Sequence, residues 1–347
     1  MKVQLWGTRG SVPTPIRPAQ IRNKVVDALS RYRDAGAPDD VEAFYDELPF
    51  NLRSTFGGDT CCTAIDNGDD EILIIDAGSG IRSKGNDMMA NFKGPQVIHI
   101  FLSHLHWDHI QGLPFFVPAY VPGNQIHFHC LHSEYEANLR NQQQWKNFPV
   151  SIDQMSAEML FHNLKIGQPS NVGSCEITPF PHVHPGDSYG FIIKSGDHKV
   201  VYSSDCDHVD MTPERFASYT EYFDNADLLI FDAQYTLEEI VTGKYQWGHS
   251  SFSVGLDLAR IAGVKRICFY HHDPSSSDEH LTELYERAIH YKGLTYDNQK
   301  IEIIWGYDGL GAAPGTSTDT EINLMHPEHP DARLVITDPS IVGLLTN

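Results

Sequence analysis

The chain has 347 residues, 41% of them hydrophobic and 20% charged, which supports a large buried core and excludes a disordered protein. Lys and Arg number 25 against 46 Asp and Glu, a net charge of −21; with no Lys/Arg run, this argues against long nucleic acid as a partner. Bound divalent cations would reverse the sign locally, so a small phosphate ester stays open as a substrate.

In chain order, residues 1–7 read as a strand that runs into the turn-rich Gly7-Thr8-Arg9-Gly10-Ser11. Residues 16–50 break the β rhythm. Ile21, Val25, Val26, Leu29 and Tyr32 recur at helical spacing, and Pro38-Asp39-Asp40 opens a second helix carrying Val41, Phe44 and Tyr45. This is a helical insertion, read either as a peripheral hairpin or as a lid or dimer contact. Segments 61–66, 71–76 and 97–103 read as strands of a meander, the last a nearly unbroken apolar run suited to burial on both faces. Helical patterning returns at 133–146. Strands follow at 175–180, 189–194, 198–203, 227–232, 266–270 and 300–305, with helices at 212–222, 250–262 and 278–292. Interleaving of this kind predicts a layered α/β or α+β sandwich. Residues 1–309 read as one domain and 310–347 as a C-terminal extension, extended or loosely ordered.

No apolar run reaches the length of a membrane span, and Met1 leads directly into a strand. The six cysteines at 61, 62, 130, 175, 206 and 268 form no CxxC pair. The expectation is a cytoplasmic protein with reduced thiols and no membrane partner; the alternative for any one cysteine is metal ligation. Cys206, between two carboxylates, is expected to be buried and inert.

The densest chemistry is His104-x-His106-x-Asp108-His109, at the end of the apolar strand. In extended chain, residues i and i+2 project to one side, so His104 and His106 can grip one ion. A tight turn then aims Asp108 and His109 at a second. These ligands suit Zn first, with Mn or Fe as alternatives. One loop cannot fill two coordination spheres. Further ligands are sought in three turns that follow apolar strands: Pro181-His182-Val183-His184-Pro185-Gly186, Ser203-Ser204-Asp205-Cys206-Asp207-His208 and Tyr270-His271-His272-Asp273.

This pattern resembles the metallo-β-lactamase superfamily, closest to the phosphodiesterase-like branch with ribonuclease Z and the phosphoribosyl cyclic phosphate phosphodiesterase. The resemblance runs from Gln4-Leu5-Trp6-Gly7-Thr8-Arg9-Gly10-Ser11 to about Gly309, with Asp76-Ala77-Gly78 and Trp247-Gly248-His249-Ser250 in the expected order. It implies a four-layer αββα sandwich, to which the helical insertion at 16–50 near the N-terminus and the tail after 310 are additions without a counterpart in the resemblance. It also implies two divalent ions: His104, His106 and His184 on the first, Asp108, His109 and His271 on the second, Asp205 bridging. His184 is preferred to His182, and His271 to His272. Asp207 and His208 are candidate partners that orient ligands.

The chemistry implied is hydrolysis by a hydroxide shared between the ions, with Asp108 orienting it. His249, at the start of the 250–262 helix, protonates or stabilises the leaving oxygen, and Ser250 or Ser251 caps that helix. Asp108 and His249 are thus the catalytic candidates. The Gly-rich segments 7–11 and 57–59 offer backbone N–H groups to an anion. Asp59, where similar proteins have Asn, makes the second loop a structural element instead. Trp107, Phe115, Phe116 and Tyr120 are candidate pocket walls. The expected substrate is a small phosphodiester, such as a cyclic nucleotide or cyclic sugar phosphate. The alternatives are a lactonase or thioesterase, and a non-catalytic metal-binding sensor. Similar proteins are commonly dimers, so a homodimer is implied as one possible state.

Overall fold

A computed structural model describes residues 1–208, 211–295 and 300–312. Most of the 310–347 extension therefore lies outside the described residues. Its first part, Leu310–Ala312, belongs to the body of the fold, because Leu310 is buried and Gly311–Ala312 pairs with the first strand.

Among the described residues, fourteen strands build two sheets of seven. The first contains β1 (Lys2–Gly7), β2 (Cys62–Asp66), β3 (Glu71–Ile75), β4 (Val97–Phe101), β5 (Gln125–Cys130) and β6 (Glu158–Asn163). The second contains β7 (Ser170–Val172), β8 (Cys175–Pro181), β9 (Tyr189–Ser195), β10 (His198–Ser203), β11 (Leu228–Asp232), β12 (Arg266–Tyr270) and β13 (Glu302–Trp305). β14 (Gly311–Ala312) returns to the first sheet, which runs β14-β1-β2-β3-β4-β5-β6. The second runs β13-β12-β11-β10-β9-β8-β7.

Each sheet is antiparallel in one half and parallel in the other. Pairing is parallel from β3 to β6 and from β10 to β13. The expected meander therefore fails between β3 and β4: the helix Gly80–Ala90 carries the chain across, as a parallel pair requires. Ile81 and Met88 of that helix pack with Ile74, Ile98 and Ile100 on the outer face of the first sheet. Helices Pro213–Phe223, Phe252–Ile261 and Asp278–Thr295 contribute Tyr219, Phe223, Leu256, Leu281 and Leu284 to the core of the second. Val3 and Leu5 meet Leu228, Ile230, Cys268 and Ile304 between the sheets. The result is the αββα sandwich.

The 16–50 insertion is helical, over Pro18–Asp34, Val41–Glu47 and Phe50–Arg53. Its docking face is not the apolar stripe read from the sequence, since Ile21, Val25, Val26 and Leu29 are exposed. The buried residue of the first helix is Lys24. Its ammonium donates to Asp278 Oδ2 at 2.6 Å and to the carbonyls of Asn51 and Ser54, so a buried ion pair fixes the helix.

On β4–β6, His99, His127, His129 and His162 share one face as a ladder of near-parallel imidazoles. His99 and His127 stack at 4.6 Å, and His99 Nδ1 lies 3.0 Å from His129 Nε2. His127 Nδ1 lies 2.9 Å from His162 Nε2. Burial, reinforced by the neighbouring histidines, holds His99 down to about 4 and His129 to about 3.

Candidate metal centre

The parallel halves of both sheets end on one rim, and the site is built from those ends. After β4 the chain leaves regular structure at Ser103–Leu105, His106 is extended, and the helical turn Trp107–Ile110 follows. That turn reverses the chain and brings Asp108 and His109 back beside His104. Asp76, Asp205 and His271 follow β3, β10 and β12 with φ of 62°, 57° and 61°. Left-handed backbone is costly for a residue with a Cβ, and three such positions at strand ends mark a place where the fold stores strain.

One donor atom each from His104, His106 and His184 lie within 4.8 Å of one another, as do those of Asp108, His109, His271 and Cys61. Asp205 lies between the groups. Its Oδ2 is 3.1 Å from His109 Nε2, and its Oδ1 is 3.3 Å from His271 Nε2 and 3.9 Å from both His104 Nε2 and His184 Nε2. Asp108 Oδ2 stands 3.1 Å from His271 Nε2. Every residue proposed as a ligand from the sequence is thus brought into one buried cluster, with His106 at its open side. The two alternatives point elsewhere. His182 Nε2 meets Ser203 Oγ at 3.1 Å, and His272 donates to the Gly306 carbonyl while stacking on Trp305.

The donor set suits cations. His184 Nδ1 donates to the Gly248 carbonyl at 2.9 Å and His271 Nδ1 to Gln234 Oε1 at 2.8 Å. Both acceptors can only accept, so each ring carries its proton on Nδ1 and turns the Nε2 lone pair inward. His109 Nδ1 donates to Asp76 Oδ2 at 2.8 Å. Nε2 of His104 and of His109 is buried without a well-aligned hydrogen bond, the nearest acceptor of His109 being Asp205 Oδ2 at 3.1 Å. Inward lone pairs and two carboxylates cannot satisfy one another, whereas a divalent ion satisfies all of them. Without one, protons take its place. Against the cost of burial, neighbouring negative groups, Asp205 among them, hold His109 and His271 above the usual histidine range. Burial pushes His104 well below it.

The orienting shell was only partly foreseen. Asp76 accepts from Ser103 N, Ser103 Oγ and Tyr202 OH as well as from His109. Asp232, which sequence reasoning missed, accepts from His249 Nδ1 at 2.8 Å, from Asp205 N and from Gln234 N. Its signal was an acid closing the wholly buried strand Leu228–Asp232. His208 is no part of this shell: it packs against Phe231 and Tyr219, and burial holds it to about 3.

Other expectations divide. The Gly-rich loops do present N–H groups to an acidic group, but it is the protein's own Asp308 carboxyl, held by Thr8, Gly58 and Asp59. Burial pushes that carboxyl up to about 7. Asp59 is structural, its Oδ1 accepting from Ser79 Oγ. Phe116 is core, whereas Trp107 is 80% and Phe115 53% exposed; Tyr120 donates to the Pro114 carbonyl. Ser251 caps the helix after His249. All six cysteines are free and buried, and burial pushes Cys206 up to about 12.

Ribonuclease Z of Haloferax volcanii is 25% identical over 331 residues, covering 76% of this chain and 99% of its own. Among solved structures, the metallo-β-lactamase fold protein YhfI of Bacillus subtilis superposes with a TM-score of 0.58 at 18% identity, over 89% of this chain and 97% of that one. Human tRNase Z, short form, gives 0.57 at 16%, over 91% and 100%. The family model described as the β-lactamase superfamily domain matches residues 72–272, and the chain belongs to that superfamily, as a hydrolase with the metallo-β-lactamase fold.

Proposed function

We propose that the protein is a dinuclear metal-dependent phosphodiesterase acting on a small phosphodiester, such as a cyclic nucleotide or cyclic sugar phosphate. In this reading His104, His106 and His184 would hold the first ion and Asp108, His109 and His271 the second, with Asp205 shared between them. When bound, the ions supply an acidified water as nucleophile and positive charge against the phosphoryl oxygens.

The observation that carries the phosphodiester reading is the His249–Asp232 pair. His249 borders the cluster, stacking on His271 at 4.9 Å, while its Nδ1 is committed to Asp232. An imidazole so fixed presents Nε2 to a substrate, where it can hold a proton for a leaving oxygen. Asp108 is held by the Ser11 N–H at 2.6 Å, which aims its carboxylate into the cluster. The net charge of −21 favours a small substrate over a long RNA. No helix among the described residues is long and apolar enough to cross a membrane.

The test is a panel of cyclic nucleotides, cyclic sugar phosphates, bis-p-nitrophenyl phosphate, a lactone, a thioester and a precursor tRNA, with Zn and Mn supplied separately. Turnover of a small diester that collapses in His249→Ala, with metal content retained, supports the reading. Preference for the lactone, the thioester or the tRNA overturns it.

A further inference from the structure

Cys61 stands in the wall of the second metal position, where no role has been assigned to it. It directly precedes β2 and is 0% exposed. It faces the core between the sheets, while its neighbour Cys62 faces the outer core. One donor atom each from Cys61, Asp108, His109 and His271 all fall within 4.8 Å of one another. The Sγ donates to the Arg9 carbonyl at 3.5 Å, a weak bond for a buried thiol. A second observation points into the same space: His109 Nε2 is fully buried and makes no well-aligned hydrogen bond, although Asp205 Oδ2 lies 3.1 Å away.

The backbone holds this arrangement in place. Gly78 N donates to the Cys61 carbonyl and Ala77 N to the His109 carbonyl. A Cβ on Gly78 would lie 2.2 Å from the Asp108 carbonyl oxygen and 2.6 Å from that of Cys61. Only glycine lets the segments carrying Cys61 and Asp108 approach so closely. The fold thus presses a thiol against three donors already aimed at one point.

We propose that the Cys61 thiolate ligates the second ion, an inference that rests on the dinuclear reading above. Two histidine nitrogens, the Asp108 oxygen and a sulfur are zinc ligands, and with the shared Asp205 they would make a five-coordinate set. The soft thiolate turns that position towards Zn, Co or Fe and away from Mn, which prefers oxygen and nitrogen. The thiol proton leaves to solvent as the ion binds. The thiolate also adds a third negative charge, beside Asp108 and Asp205, against two divalent ions.

Cobalt reads this directly, because a cobalt–thiolate bond gives an intense sulfur-to-metal charge-transfer band in the near ultraviolet. Metal-free full-length protein titrated with Co²⁺ is expected to show that band together with the visible bands of bound cobalt. Cys61→Ser should lose the charge-transfer band and keep the visible ones, and Cys62→Ser should keep both. Mn²⁺ should compete for the second position at least about 10-fold better in Cys61→Ser than in wild type. X-ray absorption of wild-type protein loaded with Zn should show a sulfur neighbour at about 2.3 Å, a result that does not depend on any variant folding. Visible bands without charge transfer, or a Zn shell without sulfur, overturn the role of Cys61 and leave the dinuclear reading standing. Failure of wild type to bind either metal overturns both.

Discussion

Replacing Lys24 with Met tests how the insertion is held. Lys24 and Asp278 side chains are 9% and 6% exposed, and their charges meet at 2.6 Å. Met matches the length of the lysine stem but removes all three of its hydrogen bonds. Asp278 would keep bonds from Phe56 N and Thr55 Oγ1, at 2.9 and 3.2 Å, yet lose its counter-charge in a buried site. Removing one partner of a buried pair costs about 3–5 kcal/mol, and the two surviving bonds place the expectation near the lower end, about 3 kcal/mol. With a urea slope of about 3 kcal/mol per molar, the denaturation midpoint should fall by about 1 M. Adding Asp278→Asn removes the stranded charge and should recover about half of the loss. Hydrogen exchange would locate the effect in 18–34 and 50–56 if the insertion opens locally, and throughout the core if it does not. A cost below about 1 kcal/mol, or no recovery in the double variant, would refute the claim that this pair anchors the insertion.

Three further outcomes follow from the same geometry. His249→Ala and Asp232→Asn should each lower diesterase kcat by about 10²–10⁴-fold, and the double variant should fall little further because the two act as one unit; additive losses in steady-state kinetics would separate them. Gly10→Ala places a Cβ 2.4 Å from His271 Cε1, so metal affinity should drop about 10–100-fold with the circular dichroism unchanged; unaltered metal content after dialysis would contradict the placement of His271. The histidine ladder should make the protein acid-sensitive. His99 titrates at about 4 in the fold against about 6.5 unfolded. The unfolded chain therefore binds the extra proton between those values, and stability falls as pH falls from 6.5 towards 4. Discounted for the ladder's partly open edge, His99 contributes about 1–2 kcal/mol to that loss. His99→Phe should flatten the slope of the thermal midpoint against pH relative to wild type, and an unchanged slope would refute the assignment.

The cluster was legible where its residues were dense or sat at the ends of apolar strands. His104, His106, Asp108 and His109 share one loop, and His184, Asp205 and His271 each follow a strand that reads as buried. The groups that orient them were harder to read. Asp232, Gln234 and Tyr202 are single polar residues whose partners lie far away in sequence, as with Tyr202 and Asp76, 126 positions apart. β5 and β6 escaped notice for a different reason. Gln125-Ile126-His127-Phe128-His129-Cys130 alternates correctly for a strand, but the residues that alternate with the buried Ile126, Phe128 and Cys130 are histidines, which pair with other histidines across the sheet. The insertion's stripe misled in the opposite sense. Ile21, Val25 and Leu29 have helical spacing, yet a buried ion pair decides which face docks.

The three left-handed residues connect the fold to the site. Asp76, Asp205 and His271 each follow a parallel strand where an ordinary turn would carry the side chain away from the rim. Glycine would relieve the backbone at each position but delete the group the cluster needs: the acceptor for His109, the carboxylate between the two groups, or an inward imidazole. The strain, about 1–2 kcal/mol per residue, is therefore offset by hydrogen bonds around each residue and, in the reading proposed here, by bound ions. It also explains why these positions resist inference from local propensity. Asp is tolerated in left-handed backbone, His less so, and neither marks a turn as glycine does. What places them is the convergence of two half-parallel sheets on a single rim, a property of topology that no one segment of the chain carries.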